Sequence, residues 1–171
     1  MNKHHSFAFL IAILCSACAK IPNIPPADLG FLSFEKGPNN LYIVNFTSNV
    51  ALLTAFKDYE NSNQLTPVLT CSFDGDENFS ADHSINIRAE GRVKAKSQNK
   101  PNQDFFAELI FYYNNPDGTQ HSINDYDAFK PHLAQQAKIP CKIRIAYYGF
   151  KTYYTNTLFI PSAPMMQIQR K

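Results

Sequence analysis

Between Ser84 and Ser97 apolar and polar residues alternate without losing phase. Ile85, Ile87, Ala89, Val93 and Ala95 fall on one side, and Asn86, Arg88, Glu90, Arg92, Lys94 and Lys96 on the other. Successive side chains of a strand point to opposite faces, so this alternation predicts a strand with one buried and one wet face. Gly91 interrupts the apolar row, and an isolated glycine within a strand often marks a bulge or bend. After the loop Gln98 to Gln103 around Pro101, the aromatic and aliphatic run Asp104 to Tyr113 predicts a return strand. The two together predict a long antiparallel hairpin.

The same reading places strands at Leu29 to Phe34 and Leu41 to Phe46, separated by the turn Gly37 to Asn40. Further strands are expected at Pro67 to Phe73 and Thr119 to Ile123, the latter after the Pro116, Asp117 and Gly118 turn. In Cys141 to Tyr148, Ile143, Ile145 and Tyr147 alternate with Lys142, Arg144 and Ala146, and Gly149 turns the chain back into Thr152 to Ile160. Two segments carry helical spacing instead. Ser48 stands as an N-cap before Leu52, Ala55, Phe56 and Tyr59, and Tyr126, Phe129, Leu133 and Ala137 recur across Asn124 to Ala137, with Pro131 placed to kink or shorten that helix.

About eight strands joined by short turns must pair antiparallel, because parallel neighbours need long crossovers. The expected fold is therefore α+β and mainly β, an antiparallel sheet or sandwich with two helices packed against it. A single globular domain spans 28–161, and 162–171 is expected to form a loose C-terminal tail. At 171 residues and 44% hydrophobic, the chain suits one domain with a substantial core. A net charge of +2 without a concentrated basic stretch gives no case for a nucleic-acid partner, and none is expected.

The N-terminus changes the picture by assigning a compartment. Lys3 opens a short basic start, Phe7 to Leu14 is uninterruptedly apolar, and small residues follow, the three-part layout of a secretory signal over 1–17. Leu14-Cys15-Ser16-Ala17-Cys18 resembles the lipobox of bacterial lipoproteins, with Cys15 where an aliphatic residue is usual. The resemblance covers the targeting segment only. It implies lipidation of Cys18 and a stable membrane anchor, since several acyl chains hold where one does not. Ala19 after that cysteine implies the outer membrane of a Gram-negative envelope. The competing reading takes Ala17-Cys18-Ala19 as a small-x-small site, with cleavage releasing a soluble protein from Lys20. Under the lipoprotein reading, 18–27 combines the lipid attachment with a tether stiffened by Pro22, Pro25 and Pro26.

Apart from Cys15 and Cys18, the cysteines are Cys71 and Cys141, an even pair in a chain bound for an oxidising space, which predicts a disulfide. Catalytic signals are weak by comparison. His83, His121 and His132 are isolated, no HExxH or GxSxG motif occurs, and the residues call for no cofactor and no metal. Asp74, Asp76 and Asn78 alternate like oxygen ligands of a calcium loop, but Phe79 and Ile85 stand where an EF-hand needs Gly and Glu, so a solvated turn is expected.

What remains is a binding surface. Arg88, Arg92, Lys94 and Lys96, with Lys142 and Arg144 on a neighbouring strand, form a candidate patch for anionic lipid headgroups, lipopolysaccharide or glycan. Tyr148, Tyr153 and Tyr154 near the last hairpin are candidates for protein or carbohydrate contact. The expected function is a non-enzymatic cell-envelope lipoprotein that binds or scaffolds an envelope protein or glycan. The alternative is a soluble secreted inhibitor or adhesin-like binding protein.

Overall fold

The computed structural model describes residues 19–38, 41–56, 65–96, 103–123 and 129–167. Among these residues nine strands form one curled sheet: β1 (Leu29–Lys36), β2 (Tyr42–Ser48), β3 (Val68–Ser72), β4 (Ile87–Ala95), β5 (Gln103–Asn114), β6 (Gln120–Ile123), β7 (Lys138–Ile145), β8 (Tyr153–Tyr154) and β9 (Leu158–Pro161). Every pairing between them is antiparallel, as the short turns require. The order is β1-β2-β5-β4-β3-β7, with β8 and β9 sharing the outer edge of β7. The twelve-residue β5 is the central strand, with β4 along one edge and β2 and β6 in succession along the other. The curl brings β1 back against β9, and Asn156 N–H donates to the Ala27 carbonyl across that seam.

The alternating pattern of β4 faces as its sequence dictates: Ile87, Ala89 and Val93 are buried, while Arg92 and Lys94 are exposed. The concave side is filled by Val44, Phe46, Leu69, Phe105, Leu109, Ile143 and their neighbours. Aromatic rings do much of the filling, with Phe111 and Phe129 centroids 4.5 Å apart and Phe56 wedged against Tyr147 and Tyr153. A buried Phe removes 150–250 Å² from water, which is why a chain without tryptophan still closes its core.

Cys71 and Cys141 form a disulfide between directly opposed residues of β3 and β7, both fully buried. It ties the middle of the chain to its last hairpin across 70 residues of sequence.

Several expectations change in three dimensions. Ser48 ends β2 and its hydroxyl bonds the Val50 backbone, while residues 52–56 make turns rather than a helix. Leu52 and Phe56 are nonetheless fully buried, so the spacing recorded burial and not helix. The remainder of that segment, 57–64, lies outside the described residues. Of the helix expected over Asn124 to Ala137, residues 124–128 lie outside the described residues; helix α1 is Lys130–Ala134, with Pro131 in its first turn, where a missing N–H costs nothing.

Gly91 makes no bulge, since the β4–β5 register is the same on both sides of it. A Cβ there would lie 2.4 Å from the Glu108 carbonyl oxygen, so glycine admits a close backbone approach. Nor is the C-terminal tail loose throughout. Helix α2 (Ser162–Gln167) packs against α1, Met165 is fully buried, and Ser162 N–H donates to the Ala137 carbonyl.

The proline-rich segment is also corrected, because from Lys20 onward it is fastened to the domain instead of spacing it from an anchor. Lys20 forms an isolated parallel bridge with Phe150, Ile24 packs on the core, and Ala27 is fully buried.

Candidate functional site

Register across the convex face determines which polar side chains become neighbours. β3 lies between β4 and β7, so Thr70 faces both Glu90 and Lys142, and Val68 faces both Arg92 and Arg144. The β4 and β7 cations are thus two strands apart, roughly 10 Å at ordinary strand spacing. That separation leaves room for a cleft of about 250 Å³. Arg88, Lys142 and Arg144 line it, together with Thr70, Phe79, Ser80, Ser84, Glu90 and Tyr154.

One wall is the segment 74–84, which orders itself through short-range acceptor bonds. Asp74 accepts from the Ser72 hydroxyl and from the amides of Asp76, Asn86 and Ile87. Asp76 accepts from Asn78 N–H, and Asn78 from Ser80 N–H and hydroxyl. Asp and Asn side chains favour this i to i+2 bonding, which mimics a backbone turn. The alternating oxygens considered for calcium therefore serve the loop's own amides. His83 Nε2 pairs with the Asp76 carboxylate, and this bond, aided by Asn78 N–H, holds Asp76 below the usual carboxylate range.

The cations of the cleft are not equivalent. Arg88 is engaged by Glu90, the Ile85 carbonyl, Asn114 and Gln120, and its guanidinium lies over the Tyr112 ring. Lys142 and Arg144 have no ion-pair partner among the described residues. The Lys142 ammonium sits 5.9 Å from the centroid of the Phe79 ring. Tyr154 stands directly opposite Arg144, with its hydroxyl buried and without a hydrogen-bond partner among the described residues. Burial pushes the Tyr154 phenol up, while the Arg144 charge pulls it the other way.

The sequence candidates do not gather into one surface. Arg88 and Tyr154 line the cleft. Arg92 and Lys94 line an adjoining hollow with Glu108, Ile110 and Tyr112, and Lys94 is paired to Glu108 at 2.6 Å. Tyr148 projects from the turn after β7, 86% exposed. Tyr153 is withdrawn from the candidate surface because it points inward. It is buried, its hydroxyl donates to the Pro25 carbonyl and it accepts from Ala27 N–H at 2.7 Å.

Sequence reading missed Phe79, Ser80 and Ser84 as cleft residues and missed the His83–Asp76 pair. The Asx-rich composition of 74–80 announced an ordered turn, but nothing local announced that it folds over β3 and β7. Among the described residues, neither neighbouring serine is bonded to the His83 ring: Ser80 donates to Asn78, and Ser84 accepts from Asn114.

Compared with known protein families, curated proteins and solved structures, the chain matches none. The observed architecture is an α+β, mainly β domain built on one curled antiparallel sheet, stapled by a buried disulfide and carrying a cationic cleft on its convex face.

Proposed function

We propose that this chain is a non-enzymatic cell-envelope lipoprotein, anchored through Cys18, whose convex cleft binds an anionic envelope glycan. The observation that carries the binding role is the pair Lys142 and Arg144, without ion-pair partners among the described residues and beside hydroxyls and two aromatic side chains. Cations supply attraction for a phosphate or carboxylate, the Thr70, Ser80 and Ser84 hydroxyls suit sugar oxygens, and Phe79 and Tyr154 offer ring surface. The anchoring role rests on the lipobox-like Leu14 to Cys18 and on the disulfide, which suits an oxidising compartment.

Two measurements test the two halves. Intact mass of the mature protein from native membranes should show a chain beginning at acylated Cys18. An unmodified chain from Lys20 would replace this reading with the secreted inhibitor or adhesin. For the cleft, binding to an array of neutral and phosphate- or uronate-bearing oligosaccharides should be confined to the acidic ones. Arg144→Ala should weaken it about tenfold or more, the equivalent of one charge-assisted hydrogen bond. Equal binding of neutral sugars, or an Arg144→Ala variant of unchanged affinity, would remove the cleft as the site.

A further inference from the structure

Lys20 is fastened to the turn that follows β7. Its N–H donates to the Gly149 carbonyl at 3.0 Å, and Lys151 N–H donates to the Lys20 carbonyl at 2.8 Å. Only two residue steps separate Cys18 from Lys20, a reach of about 7 Å at full extension. Wherever Cys18 is held, Lys20 and the turn of residues 147–150 are held with it.

That end of the molecule has a distinctive surface. Tyr148, Ile21 and Leu65, exposed by 86%, 73% and 63%, are the three most exposed large hydrophobic residues described. Ile21 follows Lys20, Tyr148 tips the turn, and Leu65 N–H donates to the Ala146 carbonyl two residues before Tyr148. Lys20 and Lys151 flank the group, and neither 19–22 nor 146–152 contains an acidic residue. Exposed apolar tips, an amphipathic tyrosine and lysines without an ion-pair partner among the described residues are the side chains that settle at a bilayer surface, with stems in the headgroup boundary and charges on phosphates.

We propose that this end, formed by Lys20, Ile21, Leu65, Tyr148 and Lys151, is the face on which the domain lies against an anionic bilayer. The proposal rests on the lipoprotein reading: acylation of Cys18 places its first residues at headgroup level, and the Lys20 bridge then leaves no slack for the domain to stand off. It also sets the height of the cleft. Arg144 precedes Tyr148 by four residues, so the cleft lies no more than about 14 Å from the membrane-facing turn, within reach of glycans rooted there.

The chain contains no tryptophan, which makes a single Tyr148→Trp substitution a clean reporter. His121→Trp, on exposed β6 at the opposite end of the strands, is its control. Each full-length variant is expressed with lipoprotein processing, its intact mass is recorded, and it is reconstituted into phosphatidylethanolamine and phosphatidylglycerol vesicles with bromine near the headgroup end of the acyl chains. Acylated protein should show blue-shifted emission and loss of most fluorescence at position 148, with neither change at 121.

Acylated protein with indistinguishable emission at the two positions overturns the seating while leaving the anchor intact. Shielding of position 148 in native membranes but not in pure lipid assigns the face to a protein partner and likewise overturns it. A chain without the acyl group removes the lipoprotein reading and the seating with it.

Discussion

Tyr153 holds the N-terminal segment to the domain through one oxygen, which donates to the Pro25 carbonyl and satisfies the buried Ala27 amide. Removing that oxygen leaves a buried N–H unpaired, at a cost of about 1–3 kcal/mol. Tyr153→Phe should lower the urea midpoint accordingly and speed amide exchange at Ala27. Burial also raises the Tyr153 phenol, since the site disfavours the phenolate. A raised folded-state value means that the stabilisation is complete below about pH 10 and is lost as pH climbs through the folded value. Stability of the native protein should therefore fall above pH 10, and Tyr153→Phe should flatten that fall; an identical alkaline profile would show that the phenol is not the group being titrated. Alternation around the last hairpin was legible in the sequence, yet it did not say which tyrosines face inward. Tyr148 and Tyr153 separate because the first tips a turn and the second begins a two-residue strand that points into the core.

At the scale of elements, the staple between β3 and β7 matters most, because those strands come from distant parts of the chain. On the chain-entropy account, closing a loop of this length is worth about 4 kcal/mol. Replacing Cys71 and Cys141 together by Ala should remove about that much in urea unfolding, and reductant should then have no further effect on the variant. An unchanged midpoint would show that β-pairing alone holds the two strands. The strands themselves were well marked in the sequence, since one-sided burial imposes a period of two on local residues. Helices were less so. The Leu52 and Phe56 spacing arises where turns press two side chains into the core, and the tail, whose apolar residues after Pro164 are Met165, Met166 and Ile168, nevertheless forms the helix Ser162–Gln167 because α1 offers it a partner.

For the molecule as a whole, the N-terminal strap and helix α2 close the sheet at different places, where the sequence predicts a stiff tether and a loose tail. Deleting 162–171 should destabilise the domain by about 2–5 kcal/mol, the usual cost of removing a fully buried Met side chain, measured by thermal or urea unfolding. A truncated protein of unchanged stability would make α2 an ornament of the fold. The strap changes the expected tether into a part of the domain, because Lys20 is bonded to Gly149 and Lys151.

By itself, the sequence determined the alternation of β4 and β7, the antiparallel hairpin of β4 and β5, the mainly β class and the pairing of Cys71 with Cys141. Each follows from neighbours along the chain, from short connections, or from there being two cysteines left to join. The tertiary structure alone decided that β3 comes between β4 and β7, that Thr70 separates the two rows of cations, that Phe79 folds over Lys142, and that Lys20 is bound to Gly149 and Lys151. These contacts join residues that are far apart in sequence. Their specificity lies in the curl of one sheet and in what its concave face buries, and no local pattern records either.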